Sequence, residues 1–248
     1  WVGSAGRDSG SFWLSNGGRV YVDRQAYEYA TPECETLKDL VLADKAGDII
    51  QINLFDGANE DFGSIFLMKR SAGMVFVGTS LSYGERQYAS DQTWGSHENY
   101  LVSERLFRKI IEPLEGKPYT AAIIIALHLA SRQTYTGAGH LQISSAPHGP
   151  NLVFWISPRA AFIIKFSDTS TTGNRPLINT KNNDHHAIGT WRGARRLHVI
   201  AGDMNRSDWS VYLKFGTTLA VLLALEFSTD GVTKSFLREI DAENIGIL

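Results

Sequence analysis

The chain has one cysteine, no excess of charge and no long apolar run. With Cys34 alone, no disulfide can form within the chain, which fits a reducing compartment. A formal net charge of -2 at pH 7 leaves no basic stripe for non-specific nucleic-acid binding. The apolar run at 218–225 is shorter than the roughly 20 residues of a membrane span, and no signal peptide opens the chain. We therefore expect a cytoplasmic protein without nucleic-acid or membrane partners.

Several common catalytic motifs are also missing. The sequence contains no Gly-x-x-x-x-Gly-Lys-Ser/Thr phosphate loop and no His-Glu-x-x-His zinc motif. Gly137 and Gly139 lack the third glycine of a dinucleotide-binding fingerprint. No Gly-x-Ser-x-Gly nucleophile elbow occurs either. Any chemistry must therefore come from residues outside these motifs.

Strand and helix patterns are mixed along the chain without strict alternation, which predicts an α+β fold. Residues 1–15 are rich in Gly and Ser and are expected to form a loop or a disordered start. Thr36 can cap a helix, and long helices are expected at 106–114, 121–130 and 208–227. The segments at 152–156 and 161–166 are expected to pair, and 168–191 to form a long polar loop. Further strands are predicted at 19–23, 49–55, 64–68, 74–78, 99–102 and 197–201.

Polar side chains alternate with valines on the first strong strand. Alternation places Arg19, Tyr21 and Asp23 on one face and the intervening valines on the core face. A cation, a phenol and a carboxylate suit a site for phosphate and metal, and Glu28 adds an oxygen ligand of the kind magnesium prefers. A solvated sheet face with a salt bridge remains the alternative.

Two later strands carry polar pairs of the same kind. His97 and Asn99 share a strand face, and a neutral histidine can ligate a metal. Arg196 and His198 share a face as well, and adjacent arginines can clamp phosphate. A satisfied core histidine and a charged strand edge are the respective alternatives.

Taken together, these clusters resemble the Pup ligase/depupylase (PafA/Dop) family. The matching blocks lie at 16–23, 27–34, 95–100, 195–203 and 212–218, in the order of the family. The resemblance implies a glutamine-synthetase-like curved antiparallel sheet packed with helices, which binds ATP and Mg²⁺. It implies Asp23 as the catalytic residue and Arg19, Thr31, Arg196 and Asn99 as nucleotide contacts. The metal contacts that it implies are Tyr21, Glu28, His97 and His198.

The resemblance leaves two activities open, both acting on the small protein modifier Pup and both linked to the bacterial proteasome. The spacing from Asp23 to Glu28 is one residue shorter than the ligase pattern, and Ser96 and the Tyr-Leu-Lys-x-Gly-Thr-Thr string at 212–218 also favour a depupylase. We therefore predict an enzyme that cleaves Pup from pupylated proteins and deamidates the C-terminal glutamine of Pup. A Pup–protein ligase that works through a γ-glutamyl phosphate is the alternative.

The chain also departs from the family pattern. It lacks the opening Glu-x-Glu magnesium strand and the small C-terminal domain of the family. We therefore expect residues 16–248 to form part of a glutamine-synthetase-like catalytic domain, in a fragment that is inactive by itself. A non-catalytic relative that binds Pup or nucleotide, and a small-molecule carboxylate-amine ligase, remain as further alternatives.

Overall fold

The computed structural model describes residues 2–3, 11–23, 26–62, 95–112, 120–146, 149–171, 174–181 and 192–228. The chain divides into two compact units. The first contains Trp1–Lys69 and Ser207–Tyr212, and the second contains Arg70–Arg206 and Leu213–Leu248. The predicted strands at 64–68 and 74–78 lie outside the described residues.

The first unit contains a four-stranded antiparallel sheet whose strands are neighbours in chain order. Its strands are β1 (Val2–Gly3), β2 (Ser11–Leu14), β3 (Arg19–Asp23) and β4 (Ala26–Ala30). Strands β1 and β2 therefore lie where the sequence predicts a loop. The turn after β2 needs Gly17, whose φ of +82° is a conformation that residues with a Cβ rarely adopt. This turn sets the register of β3, the strand that carries the first polar cluster.

Helix α1 (Leu37–Phe62) follows the sheet and begins at the predicted cap. The Thr36 hydroxyl accepts from the Asp39 backbone N–H at 3.1 Å, which satisfies one free donor of the first turn. Gly47 lies against the Tyr29 ring, since a Cβ at this position would come within 2.2 Å of it. The strand predicted at 49–55 was wrong because these residues continue α1. A short apolar run fits either structure, and here the helix started at Thr36 extends through it.

The second unit contains a mixed sheet in the order β5-β10-β9-β8. These strands are β5 (Glu98–Ser103), β8 (Lys165–Asp168), β9 (Pro176–Asn179) and β10 (Ala194–Val199). Strand β10 pairs antiparallel with β5 and β9, while β8 and β9 are parallel. A hairpin of β6 (His140–Ala146) and β7 (Gly149–Trp155) forms a separate two-stranded sheet.

Helices cover one face of the mixed sheet. They are α2 (Glu104–Ile111), α3 (Thr120–Ser131) and the second-unit part of α4 (Asp208–Phe227). The helices predicted at 106–114, 121–130 and 208–227 are all present, the first two with bounds shifted by one to three residues. The core between sheet and helices contains the fully buried Ile125, Leu129, Ile178, Leu197 and Val199. This burial fixes which side of each strand faces away from the core.

The predicted pairing of 152–156 with 161–166 was wrong. Strand β7 pairs with β6, and β8 pairs with β9. Between β7 and β8, Ala160–Phe162 forms a 3₁₀ helix, and Ser157 and Arg159 bind Asp203 through hydrogen bonds. These contacts with a distant residue stop the chain from turning back as a simple hairpin. The loop predicted at 168–191 contains strand β9.

Among the described residues, one helix, α4, is long and apolar enough to cross a membrane, judged by length and composition alone. A core helix of a globular domain passes the same test, and this helix carries the fully buried Lys214 and Thr218. Both side chains make polar contacts inside the protein. Such contacts hold one side of the helix in the core, and 28% of its most apolar stretch is buried.

Candidate active site

Tyr21 and Glu28 face each other on neighbouring strands of the first unit. The register of β3 and β4 pairs the two residues directly. The Tyr21 hydroxyl donates a hydrogen bond of 2.6 Å to Oε2 of Glu28. Cross-strand partners project from the same sheet face, so a phenol oxygen and a carboxylate lie together. These are hard oxygen donors, which fit Mg²⁺.

Arg19 lies beside this pair and is held by β2. Its Nε donates a 2.5 Å hydrogen bond to Oγ of Ser11. Its guanidinium carbon lies 5.6 Å from the centre of the Trp13 ring and 5.3 Å from that of Tyr21, within the range of cation–π attraction. The sequence reasoning missed Ser11 and Trp13 because they fall in the segment expected to be a loop. Their alternation with Phe12 and Leu14 is the signal that could have found them.

Asp23 and Thr31 lie at the ends of the same two strands. The backbone of Asp23 pairs with Ala26, so position 23 belongs to the same face of β3 as Arg19 and Tyr21. Thr31 follows β4 directly and is half-buried. Strand alternation therefore groups Arg19, Tyr21 and position 23 on one face, as predicted.

The mixed sheet of the second unit presents a polar face on the side away from its helices. Asn99 pairs with His198 across β5 and β10. Nη1 of Arg196 donates to Oδ1 of Asn99 at 3.1 Å. The rings of His97 and His198 lie 5.2 Å apart, nearly edge to face. As predicted, His97 shares a face with Asn99, and Arg196 shares a face with His198. The structure adds that all four residues belong to the same face of the sheet.

The charge state of His97 follows from its surroundings. The protein packed around the ring disfavours its charged form and, with His198, Arg159 and Lys214 close by, lowers the pKa of His97 to about 3, while another part of the residue is open to solvent. The ring is therefore neutral at pH 7 and can offer a nitrogen lone pair to a metal or a proton donor.

A buried ionic cluster lies on the opposite side of β5. Glu98 receives two hydrogen bonds from Arg132, of 2.6 and 2.7 Å. The Tyr100 hydroxyl donates to the same carboxylate at 2.6 Å, and the Lys214 ammonium lies 3.4 Å away. Glu98, Arg132 and Lys214 are at most 1% exposed. Burial alone would raise the pKa of Glu98, but Lys214, Arg132 and the hydrogen bonds outweigh it and lower that pKa.

Lys214 extends this cluster toward the end of β10. Its ammonium donates to the backbone carbonyls of Ser96 and Asp203, at 3.2 and 3.0 Å. The Asp203 carboxylate accepts from the Ser157 hydroxyl and from the Arg159 backbone N–H. Burial lowers the pKa of Lys214, and it raises that of Asp203. The sequence interpretation gave Ser157 and Arg159 only as weak phosphate-binding candidates and assigned no role to Glu98, Asp203 or Lys214. Alternation with His97 and Asn99 could have shown that Glu98 faces the core.

The described residues contain no group of three His, Cys, Asp or Glu side chains that could hold a metal ion. They supply two pairs of donors: Tyr21 with Glu28, and His97 with His198. The oxygen pair fits Mg²⁺ better than the nitrogen pair, because Mg²⁺ binds mainly oxygen ligands. Tyr21 and Glu28 are therefore the better-founded metal candidates.

Known proteins match nearly the whole chain. A model of the Pup-ligase protein family matches residues 3–243. The Pup–protein ligase of Arthrobacter sp. (strain FB24) is 36% identical over 226 residues, covering 91% of this chain and 44% of the relative. The Pup–protein ligase of Acidimicrobium ferrooxidans is 35% identical over 251 residues, covering 98% of this chain and 46% of the relative.

Two solved structures are similar to this chain. One is the Pup ligase PafA in complex with ADP, with 31% identity, a TM-score of 0.60 and coverage of 88% of this chain and 43% of that one. The other is PafA in complex with the prokaryotic ubiquitin-like protein Pup, with 29% identity, a TM-score of 0.59 and coverage of 88% and 38%. The chain thus spans less than half the length of these relatives.

These neighbours, together with mixed sheets and helices, define an α+β, glutamine-synthetase-like fold, as predicted. The polar clusters on the strands also resemble those of enzymes with this fold. The chain belongs to the Pup-ligase protein family.

The prediction of depupylase and deamidase activity was wrong, because the relatives are Pup–protein ligases and the solved neighbours are PafA. It depended on the short spacing from Asp23 to Glu28, on Ser96 and on the block at 212–218. The spacing from Asp23 to Glu28 includes the connection between β3 and β4. The pairing of Tyr21 with Glu28, in contrast, is set by the register of the two strands. Connections tolerate changes of length better than paired strands do, so this spacing is a weak indicator of activity.

Proposed function

We propose that this chain carries nucleotide- and metal-binding parts of the active site of a Pup–protein ligase. The observation that carries the proposal is the Tyr21–Glu28 hydrogen bond of 2.6 Å beside Arg19, on one face of a sheet. It combines oxygen donors for a metal with a cation for phosphate, in a chain whose relatives are ligases of this kind.

In this proposal Tyr21 and Glu28 hold Mg²⁺, and Arg19 and Thr31 contact ATP. The γ-carboxylate of the C-terminal glutamate of Pup attacks the γ-phosphorus of ATP, which gives ADP and a γ-glutamyl phosphate. A substrate lysine then attacks the acyl carbon, phosphate leaves, and an isopeptide bond forms. Asp23 accepts the proton that the lysine amine loses, the role of a general base. Asn99, Arg196, His97 and His198 would form further phosphate or metal contacts.

The partners follow from the same proposal. One solved relative is bound to ADP and another to Pup, which supports nucleotide and Pup as ligands of this chain. Pupylated proteins would be the product, destined for the bacterial proteasome. Consumption of ATP fits the cytoplasmic location that the sequence predicts. The division into 1–15 and a partial catalytic domain at 16–248 stays a prediction.

The test is conjugation by the full-length gene product. The protein is incubated with Pup ending in glutamate, ATP, Mg²⁺ and an acceptor protein, and the conjugate is followed on a gel. Asp23→Asn should slow conjugation by about 100-fold or more, since a positioned base contributes roughly 10²–10⁴-fold. Lys165→Met, on an exposed lysine of β8, is the matched control and should conjugate normally.

Other outcomes would point elsewhere. Binding of ADP with Mg²⁺ but no conjugate, under conditions where a known Pup ligase works, would identify a non-catalytic relative. ATP consumption that requires a small amine and not Pup would identify a small-molecule ligase. Conjugation by Asp23→Asn at the wild-type rate would refute the role of this carboxylate.

A further inference from the structure

His97 lies just before β5, so the strand ladder does not hold it directly. Strand β5 begins at Glu98, whose partner on β10 is Val199. Beyond this pair, the Ser96 N–H donates to the carbonyl of Gly202 at 2.9 Å. The position of the His97 ring therefore depends on how the chain at 95–97 is tied to the chain after β10.

Lys214 supplies a second tie between these two segments, from the core side of the sheet. Its ammonium contacts the Ser96 carbonyl at 3.2 Å, the Asp203 carbonyl at 3.0 Å and the Glu98 carboxylate at 3.4 Å. A lysine ammonium has three N–H donors, and here three oxygens surround it. One ammonium thus connects the residue before His97 to the segment that follows His198.

Gly202 shows how closely the chain passes this ammonium. A Cβ at position 202 would lie 2.4 Å from Nζ of Lys214 and 2.8 Å from Oε1 of Glu98. Real Cβ contacts are longer than this, so a larger residue would have to displace the buried pair. The geometry of the tie therefore requires glycine at this point.

The cost of burying Lys214 bears on what it does. Desolvating an ammonium is expensive, and an apolar side chain of similar volume often fills a core equally well. Lys214 is 0% exposed, and two of its three contacts are with backbone carbonyls of the segments that flank the two histidines. The ion pair with Glu98 is one reason for a charge here, but Arg132 already pairs with that carboxylate, and the two backbone carbonyls give the ammonium a further role of holding these segments.

We propose that Lys214 is a positioning residue, which fixes the spacing of the His97 and His198 rings on the opposite face of the sheet. This inference rests on the proposed function, in which that face contacts phosphate or metal. Misplacing a contact by about 1 Å can slow an enzyme by roughly 100-fold, so loss of the tie should be visible in the rate.

The experiment compares variants of the full-length gene product. Lys214→Met removes the ammonium, Gly202→Ala displaces it while keeping every charge, and Lys165→Met is the matched control on an exposed lysine. Folding is checked by circular dichroism. Ring proximity is measured as a nuclear Overhauser effect between His97 and His198, and kcat for Pup conjugation is measured separately from KM for ATP.

We expect Lys214→Met and Gly202→Ala to lose the ring-to-ring effect and to lower kcat by about 10- to 100-fold, while Lys165→Met keeps both. A folded Lys214→Met protein with wild-type ring proximity and kcat would overturn the proposal. If Lys214→Met does not fold, Gly202→Ala decides by the same two measurements. If the wild type makes no conjugate, the proposed function fails, and the ring measurement still decides the positioning role.

Discussion

Replacing Arg132 by methionine removes the strongest partner of a buried carboxylate. Arg132 donates two hydrogen bonds of 2.6 and 2.7 Å to Glu98 and one of 2.6 Å to the Thr218 hydroxyl. Arg132 and Glu98 are buried from solvent, at 0% and 1% exposure. Methionine fills part of the volume but offers no donor, so the carboxylate stays buried with fewer partners.

The expected loss of stability depends on the partners that Glu98 keeps in Arg132→Met. Breaking a buried ion pair by removing one partner costs about 3–5 kcal/mol. The Tyr100 hydroxyl at 2.6 Å and the Lys214 ammonium at 3.4 Å still reach Glu98, so we expect the lower end, about 3 kcal/mol. For a chain of this size, 1 kcal/mol shifts the thermal midpoint by about 2–4 °C, which gives a drop of about 6–12 °C.

Arg108→Met is the matched control. Arg108 pairs with Glu104 at 2.9 Å on the surface of α2, and its side chain is 61% exposed. Solvent screens an exposed pair of this kind, so the midpoint should fall far less than in Arg132→Met. Both variants and the wild type are unfolded by heat under circular dichroism.

Equal midpoint shifts in Arg132→Met and Arg108→Met would refute the reasoning, because burial would then have no effect. A second check is the double variant Glu98→Gln with Arg132→Met. The two residues are in contact, so the loss should be smaller than the sum of the two single losses. A stability loss in the double variant equal to the sum of the two single losses would show that the residues do not act as a pair.

Three further predictions concern other parts of the chain. The pKa of Asp168 is lowered to about 2 by hydrogen bonds from the Ser170 N–H, Lys165 and Asn174. The stability that Asp168 contributes is therefore present above its unfolded pKa near 4 and is lost as the pH falls through about 2. Asp168→Asn should therefore melt lower than the wild type at pH 7, and this difference should shrink as the pH falls toward 2. Ser103 caps α2, so Ser103→Ala should cost about 1 kcal/mol in chemical unfolding, and an unchanged midpoint would contradict this. Trp13→Ala should weaken ADP binding in calorimetry, while Trp13→Phe keeps the ring beside Arg19 and should bind normally; equal affinities would exclude a role for the ring.

Much of the candidate site could be predicted from local patterns. Period-2 alternation placed Arg19 and Tyr21 on one face, and it grouped His97 with Asn99 and Arg196 with His198. The order of the sequence blocks identified the family, which the comparisons confirm. The choice between ligase and depupylase failed because it depended on the length of one connection and on small local differences at Ser96 and in the block at 212–218.

The errors in the fold have a common cause. The strand expected at 49–55 continues α1, since a short apolar run does not distinguish helix from strand. The segment at 161–166 does not pair with β7, because Ser157 and Arg159 bind Asp203 far along the chain. In each case a neighbouring element decided what the local pattern left open.

The sequence by itself determined the faces of the strands and the residues that each face presents, because alternation is a property of neighbouring residues. Only the tertiary structure decided that Glu98 meets Arg132 and Lys214, or that Gly202 must be small. These contacts join residues from separate elements of the second unit, and no spacing in the chain encodes them. Burial then gives them their strength, since charges removed from water must find partners within the protein.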